Sequence, residues 1–257
     1  MNRLVELFKR KKEGVLNVYF TAGHPTLDST VTIIKELDRQ GADIIEIGMP
    51  YSDPMADGET IQKSSAIALK NGMGLNILFD QVAQARRDVD IPLIVMGYYN
   101  QLIQYGIEDF VKKASEVGID GMIIPDLPMA IYRDDHKSLF EKYDICHSFL
   151  ITPQTSEERI RMADELSSGF IYMVSQSSIT GKTADISEEQ INYFERVNKL
   201  NLQNPRLIGF GIHDKLTKER AFKYANGAII GSAFIRAVAN EEYSTTKNIE
   251  TFFKSIH

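Results

Sequence analysis

A single glutamate is out of place in the segment Asp43-Ile44-Ile45-Glu46-Ile47-Gly48. A carboxylate among isoleucines is stable only if it is paired or neutral, because an unpaired buried charge costs several kcal/mol. In a strand, side chains alternate between faces, which puts Ile44, Glu46 and Gly48 on one side. Glu46 then points into the interior near the end of its strand. Desolvation there raises a carboxyl pKa into the range where it can both give and take a proton. The alternative is a structural ion pair with a neighbouring strand. Two more carboxylates follow in Pro50-Tyr51-Ser52-Asp53-Pro54-Met55-Ala56-Asp57-Gly58. Asp-Pro and Asp-Gly are also turn signals, so either aspartate alone is explained by turn chemistry. Together with Glu46 at the mouth of the same strand, Asp53 and Asp57 make a carboxylate site.

Phosphate chemistry is the second theme. Glycines stand at late strand ends: Gly181, then Gly209 and Gly211, then Gly231. Gly231-Ser232-Ala233-Phe234 opens a helix, whose free N–H groups and dipole favour an anion. Other chemistries lack their residues. The five histidines, His24, His136, His147, His213 and His257, show no HxH or HExxH spacing, so no metal site is expected. His24 and His213 follow strand ends and could approach each other. The one cysteine, Cys146, excludes an internal disulfide and reads as strand packing. No Walker motif, GxSxG elbow or GxGxxG occurs.

The elements that must hold these residues repeat one grammar: a short apolar run, a loop, a helical stretch. Candidate strands are 16–22, 43–48, 91–97, 120–125, 145–150, 169–175, 206–210 and 227–231. Most are nearly continuous apolar runs, as parallel strands covered on both faces should be. Helices are expected at 28–40, 59–70, 75–87, 107–117, 132–143, 155–166, 187–199, 214–225, 233–240 and 247–255. Ser156 and Ser187, each followed by acids, are N-cap candidates. Eight strand–helix units argue for an α/β fold, a (β/α)8 TIM barrel over residues 1–257 as one domain, with an extra N-terminal helix. That helix carries Leu4, Leu7 and Phe8 on one face and a solvated Lys9–Lys12 end. Extended loops follow the second strand (49–59) and the sixth (175–186), both at the end where barrels place their chemistry. The second is a lid candidate, or else a tolerated surface insertion.

Composition sets the outer bounds. The 257 residues are 43% hydrophobic and 25% charged, ordinary for a globular enzyme, and disorder is excluded. The net charge of −6 offers no basic field for nucleic acid or an anionic membrane. No apolar run approaches the roughly 18 residues a span needs, and the first residues lack a signal-peptide core. The expected compartment is the cytoplasm.

Residues 44–62, IIEIGMPYSDPMADGETIQ, resemble the signature of the tryptophan synthase alpha chain family. The likeness continues in YFTAGHP at 19–25, IPLIVMGYYN at 91–100, GIDGMIIPDLP at 118–128, ITPQTS at 151–156, IYMVSQSSITG at 171–181, GFGI at 209–212 and GAIIGSAFI at 227–235. The resemblance implies a barrel that cleaves indole-3-glycerol phosphate to indole and glyceraldehyde 3-phosphate. It implies a beta-chain partner in an alpha2beta2 heterotetramer, which condenses indole with L-serine on pyridoxal phosphate; this chain itself would carry no cofactor. The family's catalytic glutamate falls on Glu46 and its catalytic aspartate on Asp57. Gly181, Gly211, Gly231 and Ser232 match its phosphate-binding positions. Tyr172 matches a tyrosine near the glutamate, and Tyr19 takes the place of a phenylalanine lining the indole site. Asp53 matches a position implicated in communication with the beta chain. Two departures stand out: Glu59 replaces a common proline, and Tyr19 adds a hydroxyl to an apolar pocket.

The chemistry agrees with that resemblance. Retro-aldol cleavage needs a proton on indole C3 and removal of the substrate hydroxyl proton, both within the capacity of one tuned carboxyl. A second carboxylate would stabilise the cationic ring nitrogen. Competing readings are another phosphosugar barrel, a non-catalytic regulatory partner of the beta chain, and a free-standing indole producer. The first lacks its metal ligands, and the second would not need a carboxyl in an isoleucine strand.

Overall fold

The computed structural model describes residues 1–54, 57–175, 187–209 and 211–257. The apolar runs form strands β1 (Val15–Thr21), β2 (Ile44–Gly48), β3 (Leu93–Met96), β4 (Gly121–Ile123), β5 (Cys146–His147), β6 (Leu150–Ile151), β7 (Ile171–Val174), β8 (Arg206–Gly209) and β9 (Gly227–Ile230). They make one sheet in the order β5-β4-β3-β2-β1-β9-β8-β7-β6, parallel throughout. The expected fifth strand, 145–150, is therefore split. Its first part pairs with β4 and its second with β7, and only Ser148 and Phe149 separate the two. The two ends of the sheet are thus one stretch of chain, and the sheet closes on itself. Counted that way, nine pieces are the eight strands of a (β/α)8 barrel.

Two apolar compartments follow from strand alternation. Outward residues such as Val18, Phe20, Ile45, Ile47 and Val95 pack under the helices in the larger core. Inward residues, including Val15, Ile44, Ile94, Ile123, Tyr172, Leu207 and Ile229, fill the barrel. Below them lies the N-terminal helix Arg3–Arg10, with Leu4, Leu7 and Phe8 buried against this inner set, as their spacing predicts. Asn2 caps that helix, accepting from Leu4 N–H at 3.0 Å. Its amide also donates to the carbonyls of Asp120 (2.8 Å) and Asp144 (2.7 Å), tying the helix to the barrel floor.

The helices follow the expected stretches with two differences. The helix Tyr99–Tyr105 after β3 was not anticipated; seven residues carry too little periodicity, and its start rests on Tyr98 N–H bonding Gln101 Oε1 at 2.9 Å. The stretch 132–143 contains a π-helical turn, Tyr132–His136, before the helix Lys137–Lys142. The wider turn seats Tyr132 against Phe140, His147 and Phe149, and sets His136 Nε2 2.7 Å from Tyr99 Oη. The caps at Ser156 and Ser187 are present.

Candidate active site

Glu46 is central to β2, with Cα register to Tyr19 on β1 and Ile94 on β3. It points into the barrel and is 1% exposed. Among the described residues no cation pairs with it, so the ion-pair alternative does not describe this site. Asn17 Nδ2 donates to Oε2 at 2.6 Å, while Oε1 is buried without a hydrogen-bond partner among the described residues. Burial pushes the Glu46 carboxyl up to about 8; the Asn17 bond opposes this and the charge of Asp57 adds to it.

The loop after β2 brings Asp57 back over the barrel. Its Oδ2 accepts from Tyr98 Oη at 3.1 Å, and its main-chain oxygen accepts from Gln62 Nε2 at 2.8 Å. Burial raises Asp57 to about 6, against the opposing Tyr98 bond. Burial thus raises both carboxyls, Glu46 further than Asp57, an order that suits Glu46 to the acid role and Asp57 to that of a carboxylate. Two carboxyl groups driven apart in this way can play different roles in one reaction. Asp53 does not join them: it is exposed and accepts from Ser52 Oγ at 2.6 Å.

Two tyrosines wall the recess. Tyr19 and Tyr172 are buried, and their phenols are raised well above the usual range. Burial is the main cause for both; the charge with the largest effect is that of Asp57 for Tyr19 and of Glu46 for Tyr172. Glycines make room for these rings. A Cβ at Gly48 would lie 2.1 Å from Tyr19 Oη, and one at Gly209 would lie 2.4 Å from Tyr172 Oη. Gly231 lies against the other edge of Tyr19, 3.4 Å from Cδ1 by the same measure. It precedes the helix Ser232–Val238, whose first amides receive no side-chain cap. Gly211 follows β8 with φ +77°, a conformation that favours glycine. Gly181 and most of the expected lid, 176–186, lie outside the described residues.

The remaining histidines do not assemble a metal site. His24 is buried, whereas His213 is half exposed, bonds the Gly211 carbonyl at 2.8 Å through Nδ1 and faces Asp214. His147 is stacked on Phe149 with ring centroids 4.4 Å apart, and burial holds it down to about 3. Among the described residues, no group of three or more His, Cys, Asp or Glu could hold a metal ion. Burial raises the Cys146 thiol to about 12, as strand packing predicts and a nucleophile would not need.

Sequence reasoning missed two polar neighbours. Asn17 carries the same signal as Glu46, a polar side chain inside an apolar strand at an inward position. Tyr98 lies just beyond β3, and only the folded path of the 49–58 loop reveals its partner.

Two carboxyl groups raised by burial beside two buried tyrosines, inside a parallel (β/α)8 barrel, point to the class of barrel enzymes. The family model of the tryptophan synthase alpha chain matches residues 5–256. The tryptophan synthase alpha chain of Flavobacterium johnsoniae is 56% identical over 236 residues, covering 92% of this chain and 93% of that one. A tryptophan synthase complex from Pyrococcus furiosus superimposes with a TM-score of 0.87 at 32% identity, covering 96% of this chain and 98% of the matched chain. Tryptophan synthase from M. tuberculosis, in an aminoacrylate-bound form, gives 0.86 at 26% identity, covering 100% and 98%. The chain belongs to the tryptophan synthase alpha chain family, the lyase that cleaves indole-3-glycerol phosphate in tryptophan biosynthesis. No helix of the described residues is long and apolar enough to cross a membrane.

Proposed function

We propose that Glu46 and Asp57 divide the cleavage between them as proton shuttle and electrostatic stabiliser. Protonated Glu46 delivers its proton to indole C3, which becomes tetrahedral and leaves the ring nitrogen cationic. Ionised Asp57 accepts a hydrogen bond from the ring N–H and stabilises that charge. The Glu46 carboxylate then takes the substrate hydroxyl proton as the carbon–carbon bond breaks. The bonding pair returns to the indole ring, the carbonyl of glyceraldehyde 3-phosphate forms, and Glu46 regains its acid form. The observation that carries this reading is the buried, unpartnered Oε1 of Glu46 beside a second carboxyl of lower pKa.

Tyr19 and Tyr172 flank the indole. Gly211, Gly231 and Ser232, with Gly181, take the phosphate, so remote binding energy fixes the register of the reacting carbon. The whole chain acts as one barrel domain, needs no cofactor of its own, and works in the cytoplasm. It hands indole to a beta chain holding pyridoxal phosphate in an alpha2beta2 assembly; the complexes among its structural neighbours support that partner. Nothing in the net charge of −6 favours a nucleic-acid partner.

The test is indole release from indole-3-glycerol phosphate, with and without a cognate beta chain. Weak release alone that rises sharply with the partner is expected. Equal rates in both would indicate a free-standing indole producer. Silence in both, from folded protein that binds substrate, would overturn the catalytic assignment and leave a regulatory subunit.

A further inference from the structure

Asn17 is buried within β1, and its Cα is in register with Ile44 on one side and Ile229 on the other. An amide in such a place costs free energy unless both its ends are satisfied. Here one end is not: among the described residues Oδ1 has no hydrogen-bond partner, while Nδ2 is 2.6 Å from Glu46 Oε2. This arrangement keeps an uncompensated carbonyl oxygen inside the barrel for one contact, on the group that carries the chemistry. An apolar side chain would fill the position better if packing alone mattered.

We propose that Asn17 is a positioning residue for the cleavage, holding Glu46 by Oε2 so that Oε1 is the oxygen that exchanges protons with the substrate. This rests on the reading of Glu46 as the proton shuttle and deepens it. A fixed donor on Oε2 does two things. It prevents the carboxyl from rotating about its last bond, so the reactive oxygen keeps one direction through both proton transfers. It also stabilises the carboxylate left after the first transfer, so an otherwise desolvated acid can release its proton. The other groups that act on Glu46 cannot substitute. Asp57 brings a like charge, and among the described residues neither the Tyr19 nor the Tyr172 phenol donates a hydrogen bond to Glu46. Asn17 is the described neighbour that favours the ionised form.

The experiment compares Asn17→Leu and Asn17→Ala with the unaltered chain and with Glu46→Gln. Each is assayed as the complex with a cognate beta chain, by the pH profiles of kcat and KM for indole release. Asn17→Leu keeps the branched shape, with a methyl group in place of each polar atom, and excludes a donor. Its kcat should fall about tenfold, KM should hold, and the alkaline limb of kcat should move up by about one pH unit. Asn17→Ala leaves space for a water that can donate in place of the amide. Its kcat loss and limb shift should therefore be smaller than those of the leucine variant, although its thermal stability should be lower. A purely structural residue predicts the opposite order, with alanine worse on every measure. An unshifted limb in both variants, while Glu46→Gln is inactive, overturns the role of Asn17 and leaves the shuttle standing. Full turnover by Glu46→Gln removes the shuttle itself.

Discussion

The floor and the mouth of this barrel handle buried polar groups in opposite ways. At the floor, Asp120 is 3% exposed and fully engaged. It accepts from Arg3 Nη1 at 3.1 Å, Arg86 Nη2 at 2.9 Å and the Leu93 amide at 2.9 Å. Asn2 is likewise bonded through both ends of its amide. At the mouth, the equally buried Glu46 has one donor and no cation among the described residues, and Oε1 is left open. Satisfied polar groups hold one arrangement; unsatisfied ones are free to bond something that arrives later. The engaged network at the N-terminal helix suits stability, and the open carboxyl is the group proposed for chemistry, in line with the division of labour between the two ends of such barrels.

Substituting each acid in turn tests that division. Glu46→Gln should reduce indole release by about 10²–10⁴-fold, the range for a general acid–base group, with the fold intact. It should also change how stability depends on pH. The folded pKa of Glu46 is raised to about 8 from 4.5, so between these values the folded chain keeps a proton that the unfolded chain releases. Its stabilising contribution is complete below the lower value and is lost as pH rises through this window, with a slope of at most about 1.4 kcal/mol per pH unit. Denaturant melts from pH 5 to 8 should show this alkaline loss, and Glu46→Gln should flatten it. An unchanged slope would mean that the carboxyl is ionised in the folded chain.

Asp120→Ala should have the complementary effect. Leaving two arginines without their buried partner should cost about 3–5 kcal/mol of stability by chemical denaturation. Cleavage per folded molecule at low temperature should stay near that of the unaltered chain. A comparable loss of kcat would show that the floor and mouth are coupled. Asp57→Asn comes next, with about a 10²-fold loss in kcat and little change in affinity for a phosphate-bearing product. Loss of binding alone would place Asp57 with substrate recognition.

How much of this was legible in the chain depends on the range of the contacts involved. Glu46 was readable because a charge inside Ile-Ile-Glu-Ile is anomalous within five residues, and alternation then gives its direction. The barrel was readable for a similar reason, since each strand–helix unit is local. The break in the fifth strand was not, because it arises from pairing with β4 on one side and β7 on the other. Asn17 escaped notice because an amide in a strand carries no formal charge to demand an explanation. Tyr98 acts through Asp57, 41 residues away, and no local pattern encodes that contact. Asp53 and Asp57 look equivalent as turn residues, and only the path of the loop separates the exposed one from the half-buried one.

Glu59 offers the smallest effect and a sharp control on this last point. It lies two residues beyond Asp57 and adds a negative charge beside that loop. In the structure its side chain is 80% exposed and pairs with Lys63 at 2.6 Å, one turn along the helix Glu59–Lys70. The Lys63 bond holds its carboxyl below the usual range, opposite in direction to the half-buried Asp57. Glu59 is also the first residue of its helix, where an acid suits the dipole and a proline suits the backbone. Glu59→Pro should therefore change kcat for indole release by less than about twofold, as exposed substitutions do. A larger fall, with the pH profile moved, would show that Glu59 acts on the Asp57 carboxyl through solvent. Burial would then not be what separates Glu46 and Asp57 from the solvated acids beside them.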